Sequence, residues 1–340
     1  MRDLKTWLPY ELHTHTKHSD GTHTLMELAK SAKELGYQGI ALTDHSTMSG
    51  IREREGVMAA THLLIIRGME WTTFYGHVLL LGVDQFVDWR DLSPVDLQKR
   101  TAEIHDQGGL IGVAHPFRVG SPMCTGCFWH YQVQDWSEID YIEVWSGVFP
   151  PIQKSNQRAF QFWTDLLNQG YRITAVAGRD WHNPGRVIEP LAATYLAISE
   201  TQKDVEDRVI EALKRGRVSV SLGPLLLLHV TSTTQKMKWE IGETVVLMNR
   251  EEKLKIVIDL DVTARANYWE LNGEALRVAL NSNLGYLTEF IMKAGTPKII
   301  FELEITGLFW IRSELYGRMQ ECETMIAFTN PIYFSSLLDI

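Results

Sequence analysis

The amino-acid sequence predicts an α/β protein: a TIM-like barrel over residues 1–222, followed by a smaller all-β, sandwich-like domain over residues 223–340. Two observations predict the barrel. Apolar runs of strand length alternate with amphipathic helical periodicities, and the apolar runs repeatedly end in His, Asp or Glu. A third observation predicts the second domain: from Gly223 onward the helical periodicity stops, and short strand-like runs separated by turn residues take over.

The first strand carries Glu11-Leu-His-Thr-His15. Side chains on a strand alternate with a period of two, so His13 and His15 share a face and form a chelating pair. Ser19-Asp20-Gly21 follows as a turn that brings a hard oxygen donor close to both rings. Leu25, Leu28, Ala29, Ala32 and Leu35 recur at helical spacing and stop at Gly36. The strand from Gly39 then ends in Asp44-His45, a second pair of ligand types, and a short helical segment covers 49–61. Leu63 to Glu70 reads as the third strand with Glu70 at its end, and His77 opens the apolar run to Val83. Ser93-Pro94 predicts the start of a helix through Asp106.

Leu110 to Ala114 delivers His115-Pro116 into a loop, and the aromatic, turn-rich stretch from Phe117 to Ser137 has the composition of a loop that covers a site. Asp140 to Trp145 is a strand with Glu143 and Trp145 on one face. A helix from Ile152 to Asn168 stops at Gly170, and the strand from Arg172 ends in Asp180-x-His182, again two ligand types at period two. Ala193 to Ser199 and Val218 to Leu222 are strands flanking a helix from Lys203 to Arg215. Ligand types at strand C-termini match the active-site face of an α/β barrel. In the second domain, residues 225–231, 253–262, 266–271, 287–292, 298–303 and 325–328 predict strands, and Asn272-Gly273 a hairpin. Its Asp and Glu read as solvated faces, and Phe309-Trp310 as core.

Composition excludes several classes. With 45% hydrophobic residues in 340, the chain can bury a large core. A formal net charge of -9 repels a phosphate backbone, so nucleic acid is not an expected partner. The absence of a long uncharged apolar run and of a leader-like start leads to the expectation of a cytoplasmic protein without membrane contact. Three cysteines imply no disulfide framework. Cys124-x-x-Cys127 with His130 offers only three donors and reads as part of the covering loop.

The strand ends and turns collect His13, His15, Asp20, His45, Glu70, His77, His115, Asp180 and His182. This set exceeds the needs of one tetrahedral ion and suits two or three divalent ions of the Zn, Mn or Fe type. A carboxylate such as Glu70 can bridge two ions about 3.5 to 4 Å apart, the spacing used in two-metal hydrolysis.

His13-x-His15 with Ser19-Asp20-Gly21, Thr43-Asp44-His45, Glu70, His77, His115-Pro116 and Gly178-Arg-Asp-Trp-His182 resemble, in order, the motifs of the PHP (polymerase and histidinol phosphatase) metal-dependent hydrolases over roughly residues 8–222. The resemblance implies a distorted seven-stranded barrel, (β/α)7 in type, with a trinuclear centre. It further implies His13, His15, Glu70 and Asp180 at one ion, Glu70, His77 and His115 at a second, and Asp20, His45 and His182 at a third. His115-Pro-Phe-Arg118, Ile142-Glu-Val-Trp145, Gly216 to Pro224, Trp310-Ile-Arg-Ser-Glu314 and Ala327-Phe-Thr-Asn-Pro331 resemble the CehA/McbA branch, which includes carbamate-ester hydrolases.

Arg118, three residues beyond His115, and Arg179, next to Asp180, are expected at the barrel mouth, where guanidinium groups clamp an oxyanion. Glu143 is a candidate for acting on the leaving group and Trp145 for touching substrate. The expected activity is phosphoester hydrolysis of a small anionic molecule by a metal-bridging hydroxide. Carboxyl-ester, carbamate or amide hydrolysis at the same centre is the alternative, and a catalytically inactive binding protein a third. The sequence leaves the oligomeric state open.

Overall fold

The computed structural model describes residues 5–118, 128–185, 188–200, 204–232, 236–247, 253–271, 275–293 and 298–336. Cys124, Cys127 and the Asn272-Gly273 hairpin signal lie outside these residues.

The first part alternates strand and helix: β1 (Lys5–Thr14), α1 (Leu25–Glu34), β2 (Gly39–Leu42), α2 (Arg54–Thr61), β3 (Leu64–Thr73), β4 (Gly76–Leu81), α3 (Thr101–Asp106), β5 (Leu110–Ala114), β6 (Tyr141–Ser146), α4 (Lys154–Asn168) and β7 (Thr174–Gly178). Strands β1, β2 and β3 are parallel, as are β5, β6 and β7. Just past β7, the Trp181 N–H donates to the His13 carbonyl and the His15 N–H donates to the Trp181 carbonyl, both at 3.0 Å, which closes the ring onto β1.

The barrel is not wholly parallel, as the sequence reading had it. Strand β4 runs antiparallel to both β3 and β5. A three-stranded antiparallel insert needs only a tight β3–β4 turn, which Thr73 closes by donating its hydroxyl to the Gly76 carbonyl at 2.7 Å. The reversal has a functional consequence. His77 stands at the start of β4, and that start lies on the same rim as the C-terminal ends of the parallel strands.

Local chemistry explains the other boundaries. Thr24 and Glu27 form a reciprocal capping box at the start of α1, whose Leu25, Leu28, Ala29 and Ala32 are buried. The helix expected from Ser93 starts later, at Thr101. Ser93 instead donates its hydroxyl to the Asp96 carboxylate at 2.6 Å, a local turn that competes with helix formation.

The chain continues through β8 (Ala193–Ser199), α5 (Val205–Lys214) and β9 (Val218–Ser221) into the all-β domain: β10 (Leu225–Ser232), β11 (Met237–Glu240), β12 (Thr244–Leu247), β13 (Lys253–Asp261), β14 (Ala275–Ser282), β15 (Gly285–Lys293), β16 (Lys298–Glu304), β17 (Trp310–Met319), β18 (Cys322–Thr329) and β19 (Ile332–Ser336). One sheet has the order β11-β10-β13-β16; β12, β19, β17 and β18, with β14 and β15 branching from β17, make the other. Pairing in this domain is antiparallel apart from β12 with β19. The strand expected at 266–271 is a 3₁₀ turn at Ala266–Tyr268, entered through Arg265 at φ 48° and pinned where the Trp269 indole donates to the Ala264 carbonyl at 2.8 Å.

The two domains are joined by hydrogen bonds. Strand β9 pairs with β8 on one side and β18 on the other, so one sheet runs from the barrel into the second domain. Asn330 is fully buried; its amide donates to the Ala175 carbonyl at 2.8 Å and its oxygen accepts the Ala175 N–H at 2.8 Å. Glu314, expected on a solvated face, is buried and accepts from Arg312 at 2.8 Å, while Arg312 also donates to Thr164 of α4 at 2.9 Å. Of the expected core pair, Trp310 is 1% exposed, but Phe309 is 59% exposed.

Asn330→Ala strands the Ala175 amide and carbonyl without partners in a dry junction. It is expected to lower unfolding free energy by about 2 to 4 kcal/mol, read from the urea midpoint; an unchanged midpoint contradicts this role.

Candidate metal centre

Strand β1 delivers His13 and His15 to the barrel axis, and both are fully buried. Glu11, on the same face by the period of two, lies beneath them. Its carboxylate accepts the His13 N–H at 3.0 Å and the Arg179 N–H at 2.8 Å, tying β1 to the segment after β7. Burial pushes its pKa up to about 7 against the opposing backbone donors. Gly178 lets these layers meet: a Cβ there would lie 2.5 Å from His13 Cβ and 2.8 Å from Glu143 Oε1.

Glu70 is the hub. It sits inside β3, three residues before the strand end rather than at it, and is fully buried. Its Oε1 lies 2.9 Å from His77 Nδ1 and 3.3 Å from His115 Nε2. Its Oε2 lies 3.3 Å from His13 Nε2, 3.4 Å from His15 Nε2 and 2.9 Å from His45 Nδ1. Opposite Glu70, Asp180 Oδ1 stands 3.4 Å from His13 Nε2 and 3.1 Å from His15 Nε2. Toward the opening, Asp20 Oδ1 lies 3.1 Å from His182 Nε2 and 3.4 Å from His45 Nε2, and the His15 ring stacks between those of His45 and His182 at 4.2 and 4.1 Å.

The nine residues expected from the sequence thus meet in one cluster. They fall into overlapping groups: His13, His15, Glu70 and Asp180; Glu70, His77 and His115; and His15, Asp20, His45 and His182. Two donors leave their strands through the left-handed region, His115 at φ 25° and Asp180 at φ 56°. Non-glycine residues hold such conformations at a cost of about 1 to 3 kcal/mol each, and they concentrate at functional sites.

The donor set fits divalent cations. His13 Nε2, His15 Nε2, Glu70 Oε2 and Asp180 Oδ1 are buried without a hydrogen-bond partner. Lone pairs converging in a dry site need a cation or protons between them. Protonation states agree. Burial alone would raise the Glu70 and Asp180 carboxyls, yet His13 and the neighbouring imidazoles hold both well below the usual carboxylate range. Burial lowers His15 to about 4, so near neutral pH it is an uncharged imidazole with a lone pair to give. At His13 burial acts downward too, but Glu143, Glu70 and Asp180 outweigh it and raise the pKa, so a divalent ion competes there with a proton.

Neighbouring groups fix ring orientation. His13 Nδ1 bonds the Glu143 carboxylate at 3.0 Å, which also accepts the His115 N–H at 3.1 Å. His182 Nδ1–H donates to the Asp180 carbonyl at 2.9 Å. Sequence reasoning missed two supports, Glu11 and His23, and took a third, Asp44, for a ligand type. Glu11 was detectable as the period-two neighbour of His13. Asp44 faces away from the cluster and accepts from the Thr16 N–H and from the hydroxyls of Thr16 and Ser19, holding the turn that carries Asp20. His23 Nε2–H donates to the His15 carbonyl at 2.6 Å.

The cluster opens into a cleft of about 490 Å³ lined by Asp20, His45, His77, His115, Asp180 and His182 together with Arg118 and Arg179. Arg118 donates to Asp180 Oδ2 at 2.9 Å, and the Arg179 guanidinium lies 4.2 Å above the Trp181 ring. Two expectations need correction. Glu143 lies behind His13, fully buried and off the cleft, so it positions His13 instead of meeting a leaving group. Trp145 is 2% exposed and meets Phe328 edge-on at 5.0 Å. A bulge between Glu143 and Trp145 breaks the period of two that would have placed both on one face.

Fold and site together define a mixed α/β domain with a multi-donor, metal-type cluster, followed by an all-β domain. A family model described as PHP domain matches residues 11–93, which contain His13, His15, Asp20, His45, Glu70 and His77. The chain is similar to an uncharacterized protein of Methanocaldococcus jannaschii, 29% identical over 125 residues that cover 34% of this chain and 69% of that protein. Its fold is that of a two-domain protein from Bacteroides vulgatus containing a predicted PHP-like metal-dependent phosphoesterase, with a TM-score of 0.52, 16% identity, and coverage of 98% of this chain and 97% of that one.

If Glu143 orients His13, Glu143→Gln keeps a hydrogen-bond acceptor but loses the charge. Affinity for Zn or Mn, measured by competition with a chromogenic chelator, is expected to fall about 10- to 100-fold in a folded protein. Unchanged affinity removes Glu143 from the site.

Proposed function

We propose that this protein is a metal-dependent hydrolase that cleaves phosphoesters in a small anionic substrate. One observation carries the proposal: buried, unpartnered nitrogen and oxygen donors converge at the floor of a cleft that Arg118 also lines. His13, His15, Glu70 and Asp180, then His77 and His115, then Asp20, His45 and His182 are the proposed ligands of two or three divalent ions. Bound there, such ions activate water and neutralise charge on a phosphoryl group.

The remaining steps belong to the chain's own residues. Arg118, 45% exposed at its side chain, turns toward the cleft and binds non-bridging phosphoryl oxygens. Arg179, stacked on Trp181 and bonded through its N–H to Glu11, secures the segment that carries Asp180 and His182.

A second reading, hydrolysis of a carboxyl ester, carbamate or amide, rests on the CehA/McbA-like motifs and on the Arg118 pairing. Asp180 Oδ2 already meets the Arg118 cation at 2.9 Å, which reduces the net positive charge offered to a dianion.

p-Nitrophenyl phosphate, bis-p-nitrophenyl phosphate and p-nitrophenyl acetate separate the readings. Release from the phosphate esters, lost on chelation and restored by Mn or Zn, is expected; release from the acetate alone favours the second reading. Arg118→Ala is expected to lower kcat on the phosphate ester about 100-fold while metal content stays constant. Unchanged turnover excludes Arg118 from the chemistry.

A further inference from the structure

A second cavity, of about 410 Å³, lies at the opposite end of the barrel, where the second domain meets its base. It is lined by Arg172, Lys214, Arg215 and Arg217, with Glu243 as the only acidic side chain among the described residues. In a chain of net charge -9, four cations around one small cavity run against the overall balance. Their origins differ. Lys214 and Arg215 end α5, where cations complement the helix dipole without needing any ligand. Arg172 precedes β7 and Arg217 precedes β9, and the dipole gives no reason for either.

One guanidinium group is fixed in place and another is largely buried. Arg172 donates to the Thr244 hydroxyl at 2.8 Å and lies 4.7 Å over the Tyr333 ring. Arg217 is 13% exposed at its side chain, its Nε is buried without a hydrogen-bond partner, and its nearest carboxylate oxygen, on Glu243, is 4.0 Å away. Glu243 is engaged elsewhere, by Lys5 at 3.0 Å and by the Glu240 N–H at 2.9 Å. Arg215 pairs outward with Glu211 at 2.9 Å. The positive charge inside the cavity is therefore only partly met by the protein. The cavity floor is bare backbone, because Gly216 and Gly242 face one another with a Gly216 Cβ position 3.8 Å from Gly242 Cα.

We infer that this cavity is a binding site for a small phosphate-bearing anion, separate from the metal centre. Guanidinium groups match phosphoryl oxygens in geometry and charge, and the cavity has room for a small metabolite but not for a polymer. The position suggests what binding does. The site is lined from β7, the end of α5, β12 and β19, so an anion there ties the second domain to the strand whose far end leads to Asp180 and His182.

Inorganic phosphate is the probe, with thermal unfolding as the readout and sodium chloride of equal ionic strength as the reference. At about 20 mM phosphate the midpoint of the wild-type protein is expected to rise by about 2 °C over the chloride reference. Lys214→Glu combined with Arg215→Glu reverses two exposed charges of the cavity and, measured against the variant's own chloride reference, should abolish the rise. Arg118→Ala, at the metal cleft, should keep it. A rise that persists in the double variant means that phosphate acts at the cleft or as a general solute, and overturns the inference. So does the absence of a rise in the wild-type protein.

Discussion

One buried carboxylate organises this molecule's active end. Glu70 stands within 3.4 Å of nitrogen atoms from His13, His15, His45, His77 and His115, which come from β1, the loop after β2, the start of β4 and the loop after β5. Some of the cluster's imidazoles are held by groups outside it, His13 by Glu143 and His182 by the Asp180 carbonyl. Without those outer bonds the rings would turn to satisfy one another, and the unpaired lone pairs would disappear from the cleft floor. Glu143 behind His13 and the Asp180 carbonyl under His182 oppose that collapse, whereas Thr72 meets His45 at the Nδ1 that also faces Glu70.

The antiparallel β4 is part of the same solution. A wholly parallel barrel would bring the start of this strand to the opposite rim and remove His77 from Glu70. The reversal also shortens the connection from β3 to a turn, so Glu70 and His77 are cross-strand neighbours, offset by two residues in the register that pairs Glu70 with Leu79 and Thr72 with His77. Thr72 then serves twice, as the backbone partner of His77 and as the side chain that meets His45 at 2.5 Å.

The barrel's strand order and its ligand types were legible in the sequence because both follow short-range rules. His13 and His15 share a face by the period of two, and apolar runs ending in His or Asp mark the rim. What lay beyond reach depended on contacts between distant segments. The bulge that turns Trp145 into the core appears only when β6 meets β7. Glu314 reads as a surface residue until Arg312 and α4 close over it. Asn330 and Arg312 sit inside motifs that the sequence reading tied to a family branch; in the structure both are junction residues, bonded to Ala175 and Thr164. Ser93-Pro94 shows the opposite failure, a sound local signal overruled by an equally local turn with Asp96.

The central claim is that the cluster around Glu70 is a multinuclear metal site. Elemental analysis of the purified protein, before and after dialysis against each divalent metal, tests it most directly. Two or three equivalents of Zn, Mn or Fe per chain, falling to at most one in Glu70→Gln, is the predicted result. A wild-type chain that carries no metal and takes up none would mean that protons and internal ion pairs satisfy the cluster, and would contradict the account.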